Sequence, residues 1–144
     1  MKITLSKSEI NTLLDAAQAA RENSYSPYSK FKVGAAVLTS DGQLFSGTNI
    51  ENSSYGLTVC AERNAIFAAA SAGHRKFKAL ALITQKLKGQ KFNSPCGACR
   101  QVMSEFFSPN TPIYIAVLDG KKRTAYCKKL SELMPFPFEK FTEK

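Results

Sequence analysis

Three cysteines and one carboxylate stand in two short segments of the chain: Cys60 and Glu62 in TVCAERNAI, and Cys96 and Cys99 in SPCGACRQVM. At i and i+3 of a helix, Cys96 and Cys99 share a face and can reach one ion. Pro95 suits the first turn of that helix. The partial positive charge of a helix N-terminus lowers thiol pKa and favours thiolates. C-x-x-C is also half of a zinc site, although taken alone it fits a redox pair or a buried turn equally well. Cys60 stands just before a second expected helix, so it too can be a thiolate at a helix start. Thiolates from two helix N-termini can converge on one metal, and zinc is the usual ion for such donors.

A structural zinc site needs four protein ligands, and the remaining candidates are poorly placed. Cys127, the fourth cysteine, falls in an expected strand without a partner motif and reads as buried filler. His74 is the only histidine and follows Gly73, at the expected end of the helix that Cys60 starts. A helix of about 13 residues spans roughly 20 Å, so His74 reads as a surface or helix-end residue far from Cys60. A three-ligand site leaves one position for water, which is the catalytic arrangement. That water needs a base to take its proton.

Glu62 is the candidate base. Two residues apart in mid-helix, Cys60 and Glu62 would point about 200° from each other. At the first turn, with Cys60 still partly outside the helix, both can approach one cavity. By itself Glu62 is an ordinary first-turn acid that complements the helix dipole. Beside Cys60, and with P-C-x-x-C downstream, the base is the better reading. Three thiolates and Zn²⁺ sum to a surplus negative charge, which opposes deprotonation of the water. Arg63 can offset that surplus by donating to the sulfurs, or it can be a surface arginine; residue types alone leave both open.

The elements that must position these groups follow from pattern. Ser6 and Glu9 fit a capping box, and Ile10, Leu13, Leu14 and Ala17 recur at helical spacing after it. KVGAAVLTS reads as a buried strand, Asp41-Gly42 as a hairpin turn, and QLFSGTN as its partner strand. The loop IENSSYGLT leads to a helix over AERNAIFAAASA, stopped by Gly73. ALALITQ is a second buried strand, CRQVMSEFF a helix, IYIAVLD a strand, Asp119-Gly120 a turn and TAYC a short strand. The order α-β-β-α-β-α-β-β predicts a sheet covered by helices on both faces. No repeat or linker divides the chain, so positions 1–144 read as one domain.

The 144 residues are 44% hydrophobic, enough for one folded core. No apolar run approaches a membrane span. MKITLSKSEI lacks the apolar core of a secretory signal, so a cytoplasmic address is expected. In that reducing compartment, clustered cysteines favour metal or catalysis over disulfides. The formal charge of +9 invites a nucleic-acid partner. The lysines are dispersed, however, with small clusters at Lys121-Lys122-Arg123 and Lys128-Lys129, and read as a solvated surface. The tail LMPFPFEKF carries Pro135 and Pro137, which bar a regular helix across them. A lone domain would struggle to bury Phe136, Phe138 and Phe141 on itself, so a subunit interface is expected there.

C-x-E followed by P-C-x-x-C is the signature of zinc nucleoside and nucleobase deaminases. YSPYSKFKVGAA, GTNIENSSYGL, CAERNAIFAA and SPCGACRQVMSEF together resemble cytidine deaminase of the small homotetrameric type, from about Tyr25 to Phe138. The resemblance implies a three-layer α-β-α fold around a mixed five-stranded sheet. It implies zinc on Cys60, Cys96 and Cys99, with hydrolytic deamination of cytidine and 2′-deoxycytidine in pyrimidine salvage. Zinc hydroxide would attack C4, and Glu62 would shuttle protons through N3 to the departing ammonia. Asn49 and Glu51 resemble the pair that binds ribose hydroxyls, which fits an amide and a carboxylate. Phe31 resembles the aromatic packed on the pyrimidine, the backbone at Ala61 faces the base, and Tyr55 closes the ribose loop. Phe138 matches the tail aromatic that reaches a neighbouring subunit's site, with Phe136 a competitor for that place. Residue type alone would make Phe31 and Phe138 core packing. Lys32 stands where many relatives have proline. A blasticidin-type substrate is disfavoured by the NIEN segment, and a nucleic-acid substrate by the dispersed charge.

Overall fold

A computed structural model of the chain describes residues 5–138. The elements run α1 (Lys7–Arg21), β1 (Val33–Thr39), β2 (Leu44–Thr48), a 3-10 turn (Tyr55–Leu57), α2 (Ala61–Ser71), β3 (Phe77–Gln85), α3 (Gly97–Phe106), β4 (Pro112–Asp119), β5 (Lys122–Lys129) and α4 (Leu130–Leu133). The capping box is formed: Ser6 Oγ accepts from Glu9 N, and Glu9 Oε1 accepts from Ser6 N, each at 3.1 Å. Strand order is β2-β1-β3-β4-β5. The β3–β4 pair is parallel and the other three pairs are antiparallel, so the sheet is mixed as expected.

Alternation along the central strands divides the core into two halves. Ala36, Leu38, Ala79, Ala81, Ile83, Tyr114 and Ala116 meet Leu13, Leu14 and Ala17 of α1 on one face. Ala35, Val37, Leu80, Leu82, Ile113 and Ile115 meet α2 and α3 on the other. The result is three layers, α1 over one face and α2 with α3 over the other. Both sulfur-bearing helices therefore lie on the same side of the sheet.

Two glycines let the helices approach. A Cβ on Gly34 would lie 2.0 Å from Ala17 O, and one on Gly47 would lie 2.4 Å from Ala65 N and 2.8 Å from Ala61 O. The second contact presses the start of α2 against β2, and no flexible side chain is there to yield. Gly47→Ala is expected to cost about 2–3 kcal/mol by overpacking. Thermal denaturation reads that loss, and metal content should fall with it, because the displaced helix start carries Cys60.

Three expectations need correction or extension. Cys127 is exposed, not buried filler. It lies on the edge strand β5, opposite Tyr114, beyond the cover of α1. The final strand is twice the length of TAYC, because cross-strand pairing runs from Pro112↔Lys129 to Asp119↔Lys122. Its lysines suit a sheet edge, where charge discourages further pairing. A single turn of helix, α4, precedes Pro135 and buries Leu130 where only a broken tail was expected. Beyond it Phe136 and Phe138 are 94% and 71% exposed. Phe141 lies outside the described residues. Among the described residues, no helix is long and apolar enough to cross a membrane.

Candidate metal centre and active site

Cys60 is the N-cap of α2 and Cys96 the N-cap of α3, both with extended backbone. Cys99 lies in the first turn of α3 and is fully buried. The sulfurs of Cys60, Cys96 and Cys99 all lie within 4.8 Å of one another. Cys60 Sγ is 3.8 Å from Cys96 Sγ, which is 3.4 Å from Cys99 Sγ. Tetrahedral sulfur ligands at 2.3 Å from zinc would stand about 3.8 Å apart. The observed triangle fits that ion with little movement, and both helix dipoles favour the thiolate form. This is the one cluster of its kind among the described residues. His74 is not part of it: the ring lies against Phe45 and 3.5 Å from Asp41, past the far end of α2.

Without metal, the Cys99 thiol donates its proton in a hydrogen bond to Cys60. The Cys60 thiol is pulled down to about 5, chiefly because Cys99 donates to it, with Arg63 adding to the effect. The same bond and burial push the Cys99 thiol up. A bound cation replaces that proton, as thiolate coordination requires. Arg63 Nη2 donates to Cys60 Sγ at 3.3 Å, so the arginine that sequence left open is on the cluster. Its Nε is buried without a hydrogen-bond partner among the described residues.

Glu62 is only 4% exposed. Burial, with the nearby charge of Cys60, raises its carboxyl to about 7. It therefore sits in the first turn of α2 beside the cluster, nearly dry and close to neutrality. Ala61, between it and Cys60, is fully buried.

The segment around Ile50 is stitched to the residue before Cys60. Ile50 and Val59 exchange backbone hydrogen bonds at 3.0 Å in each direction, while Tyr25 pairs with Ile50 on the other side. Asn49 and Glu51 thus flank a residue held directly against the entry to α2. Asn49 is buried; its Oδ1 accepts from Val33 N at 3.0 Å and from Ser24 Oγ, and its Nδ2 donates to Phe31 O at 2.7 Å. Glu51 Oε1 accepts from Tyr28 N at 3.0 Å and Ser29 N at 3.1 Å, and Oε2 accepts from Ser29 Oγ. The Ser29 hydroxyl is the main reason its carboxyl lies below the usual range. Phe31 is half-buried and follows Lys30, whose φ of 59° closes the loop in the left-handed region. Tyr55 is 75% exposed and meets Tyr28 edge-on at 5.8 Å. Phe138 lies on the tail, its carbonyl accepting from Gln101 Nε2 of α3 at 3.3 Å.

Sequence reasoning missed Ser24, Ser29 and Arg100. The two serines hold Asn49 and Glu51 from more than twenty positions away, and no local spacing announces such contacts. Arg100 follows Cys99 directly, yet its partners include Leu133 O at 2.6 Å.

Residues 7–115 match the family model described as the cytidine and deoxycytidylate deaminase zinc-binding region. The chain belongs to the cytidine and deoxycytidylate deaminase family. It is 46% identical over 132 residues to a cytidine deaminase of Sporosarcina psychrophila, covering 92% of this chain and 93% of the relative. A cytidine deaminase of Halalkalibacterium halodurans is 46% identical over 126 residues, 88% of this chain and 91% of the other. A crystal structure of cytidine deaminase from Burkholderia pseudomallei superposes with a TM-score of 0.82 at 42% identity, covering 93% of this chain and all of that one. As a member of this deaminase family the chain is an enzyme, a hydrolase acting on C–N bonds with zinc as its cofactor, and its three-cysteine cluster fits a zinc site.

Proposed function

We propose that the chain hydrolyses cytidine and 2′-deoxycytidine to uridine and 2′-deoxyuridine with release of ammonia, as a cytoplasmic homotetramer of single-domain subunits serving pyrimidine salvage. The observation that carries the reading is the pairing of a zinc-sized sulfur triangle, built from the starts of α2 and α3, with a buried carboxyl of raised pKa in the first turn of α2. Cys60, Cys96 and Cys99 would hold the zinc, which would supply the Lewis acidity that makes water a nucleophile near neutral pH. Glu62 takes a proton at its carboxylate, hands it to ring N3, and carries a second to the departing amine. A carboxyl near neutrality suits both directions of transfer. The Arg63 guanidinium draws charge from Cys60 and so limits the negative surplus of three thiolates.

Substrate orientation falls to the loop around Ile50. Asn49 has spent one amide hydrogen on Phe31 O and keeps a second for a ribose hydroxyl. Glu51 is fixed by Tyr28 and Ser29 as an ionised acceptor, with lone pairs left on Oε2. Phe31 packs on the pyrimidine, the backbone at Ala61 faces the base, and Tyr55 closes the ribose side. The exposed rings of Tyr55, Phe136 and Phe138 suit burial against other subunits, with Phe138 walling a neighbour's site.

An ultraviolet assay on cytidine, with ammonia measured alongside, tests the reaction. Asn49→Ala and Glu51→Ala are each expected to lower kcat/KM for cytidine about 100-fold, since a site built to bind hydroxyls discriminates sharply. Free cytosine should be a poor substrate for the unaltered protein. Equal efficiency on cytosine and cytidine would contradict the ribose assignment.

A further inference from the structure

The segment before Cys96 belongs to no helix or strand: residues 92–96 carry no regular structure. Two side chains hold it instead. Asn93 Nδ2 donates to Thr84 Oγ1 at 2.7 Å and to Gln85 O at 3.1 Å, which ties the segment to the end of β3. Nearer the ligand, the half-buried Arg100 closes over it. Its Nε donates to Pro95 O at 2.8 Å and its Nη2 to Ser94 Oγ at 2.7 Å.

The third arm of the same guanidinium points elsewhere in the chain. Arg100 Nη1 donates to Leu133 O at 2.6 Å, at the last residue of α4. That carbonyl is among those a helix end leaves without an internal partner. The prolyl, aromatic tail departs from this point. The next residue, Gln101, donates to Phe138 O further along it. Adjacent side chains of α3 thus grip the run into one ligand and the segment 133–138.

We infer that Arg100 is a positioning residue that orders the Cys96 loop and the aromatic tail as one unit. The inference rests on the zinc reading of the three cysteines. A planar guanidinium suits the task, because its donors diverge at fixed angles toward three acceptors. A lysine ammonium is a compact point charge on a flexible stem and cannot reproduce that fork. Loss of the fork frees Pro95 O and Leu133 O together, so the ligand loop and the tail loosen together. Outer contacts of this kind govern how firmly a ligand is held on its metal.

The test uses the full chain with its zinc. Arg100→Met keeps the length of the side chain and removes every donor; Arg100→Lys keeps the charge. Zinc transfer to a chromophoric chelator reads the loop, and chymotryptic cleavage after Phe138 reads the tail, since Pro137 protects the bond after Phe136. Arg100→Met is expected to release zinc about tenfold faster and to be cut in the tail about tenfold faster. Arg100→Lys should fall between it and the unaltered protein on both scales. Ser94→Ala should speed zinc release less and leave tail cleavage unchanged. A folded Arg100→Met that matches the unaltered protein in either rate overturns the coupling. Should Arg100→Met fail to fold, Arg100→Lys decides by the same two rates. An unaltered protein that holds no zinc would refute the zinc reading instead. In that protein the coupling is read from tail cleavage and from alkylation of the exposed Cys96 thiol, which must both quicken in Arg100→Met for it to stand.

Discussion

Glu62→Gln is expected to fold, to retain its zinc and to deaminate cytidine about 1,000-fold more slowly, or worse. Removal of a positioned proton carrier costs between about 100- and 10,000-fold, and a factor of 1,000 corresponds to about 4 kcal/mol of barrier. The amide matches the carboxylate in shape, so the first turn of α2 and its packing should survive. Zinc should survive too, because the donor set is three sulfurs and does not include this residue. What the amide cannot do is accept a proton near neutral pH and return it. Burial deepens the loss: at 4% exposure, bulk water cannot easily substitute for the lost carrier. Metal analysis together with the ultraviolet assay decides the matter. Near-normal turnover in a zinc-loaded variant would reduce Glu62 to an acid that merely complements the helix dipole.

Cys99→Ser should have an equally large effect by a different route. Cys99 is the fully buried member of the triangle, and a serine hydroxyl is a poor replacement for a thiolate on zinc. Two remaining sulfurs cannot hold the ion against a chelator. Zinc content should fall to background and activity with it, whereas Glu62→Gln loses activity alone. Cys127→Ser supplies the control. That thiol is exposed on the edge strand, paired in register with Tyr114 on the α1 side of the sheet, while the cluster lies on the α2 and α3 side. Its replacement should leave zinc and turnover unchanged. Full zinc occupancy in Cys99→Ser would remove this residue from the ligand set and reopen the search for a third donor.

The gathering of three thiols and one acid at two helix starts could be read from the residues alone. Two local pairs were legible from spacing, Cys96 with Cys99 at a helix start and Glu62 in the first turn after Cys60, whereas the meeting of the two pairs, 36 residues apart, was inferred from the ligand count that zinc needs. The capping box of Ser6 and Glu9, the buried strands and the two Asp-Gly turns were legible for the same reason, since the groups that satisfy one another lie three or four residues apart. The layered architecture followed from alternation along the strands, which forces helices onto both faces.

Other features depend on how whole elements pack. Arg63 stands three residues after Cys60, within reach of it along the helix, but residue type left it equally at home on the surface; packing half-buries it and turns the guanidinium to the sulfur. The raised pKa of Glu62 is a product of burial, and burial is set by how the Gly47 contact seats the helix on the sheet. Cys127 reads as filler by type but is exposed, because β5 is an edge and α1 does not cover it. Ser24, Ser29 and Arg100 act on partners distant in the chain, Arg100 on a carbonyl 33 residues away. Local propensity carries no record of which distant segments will meet, because packing of whole elements chooses those partners.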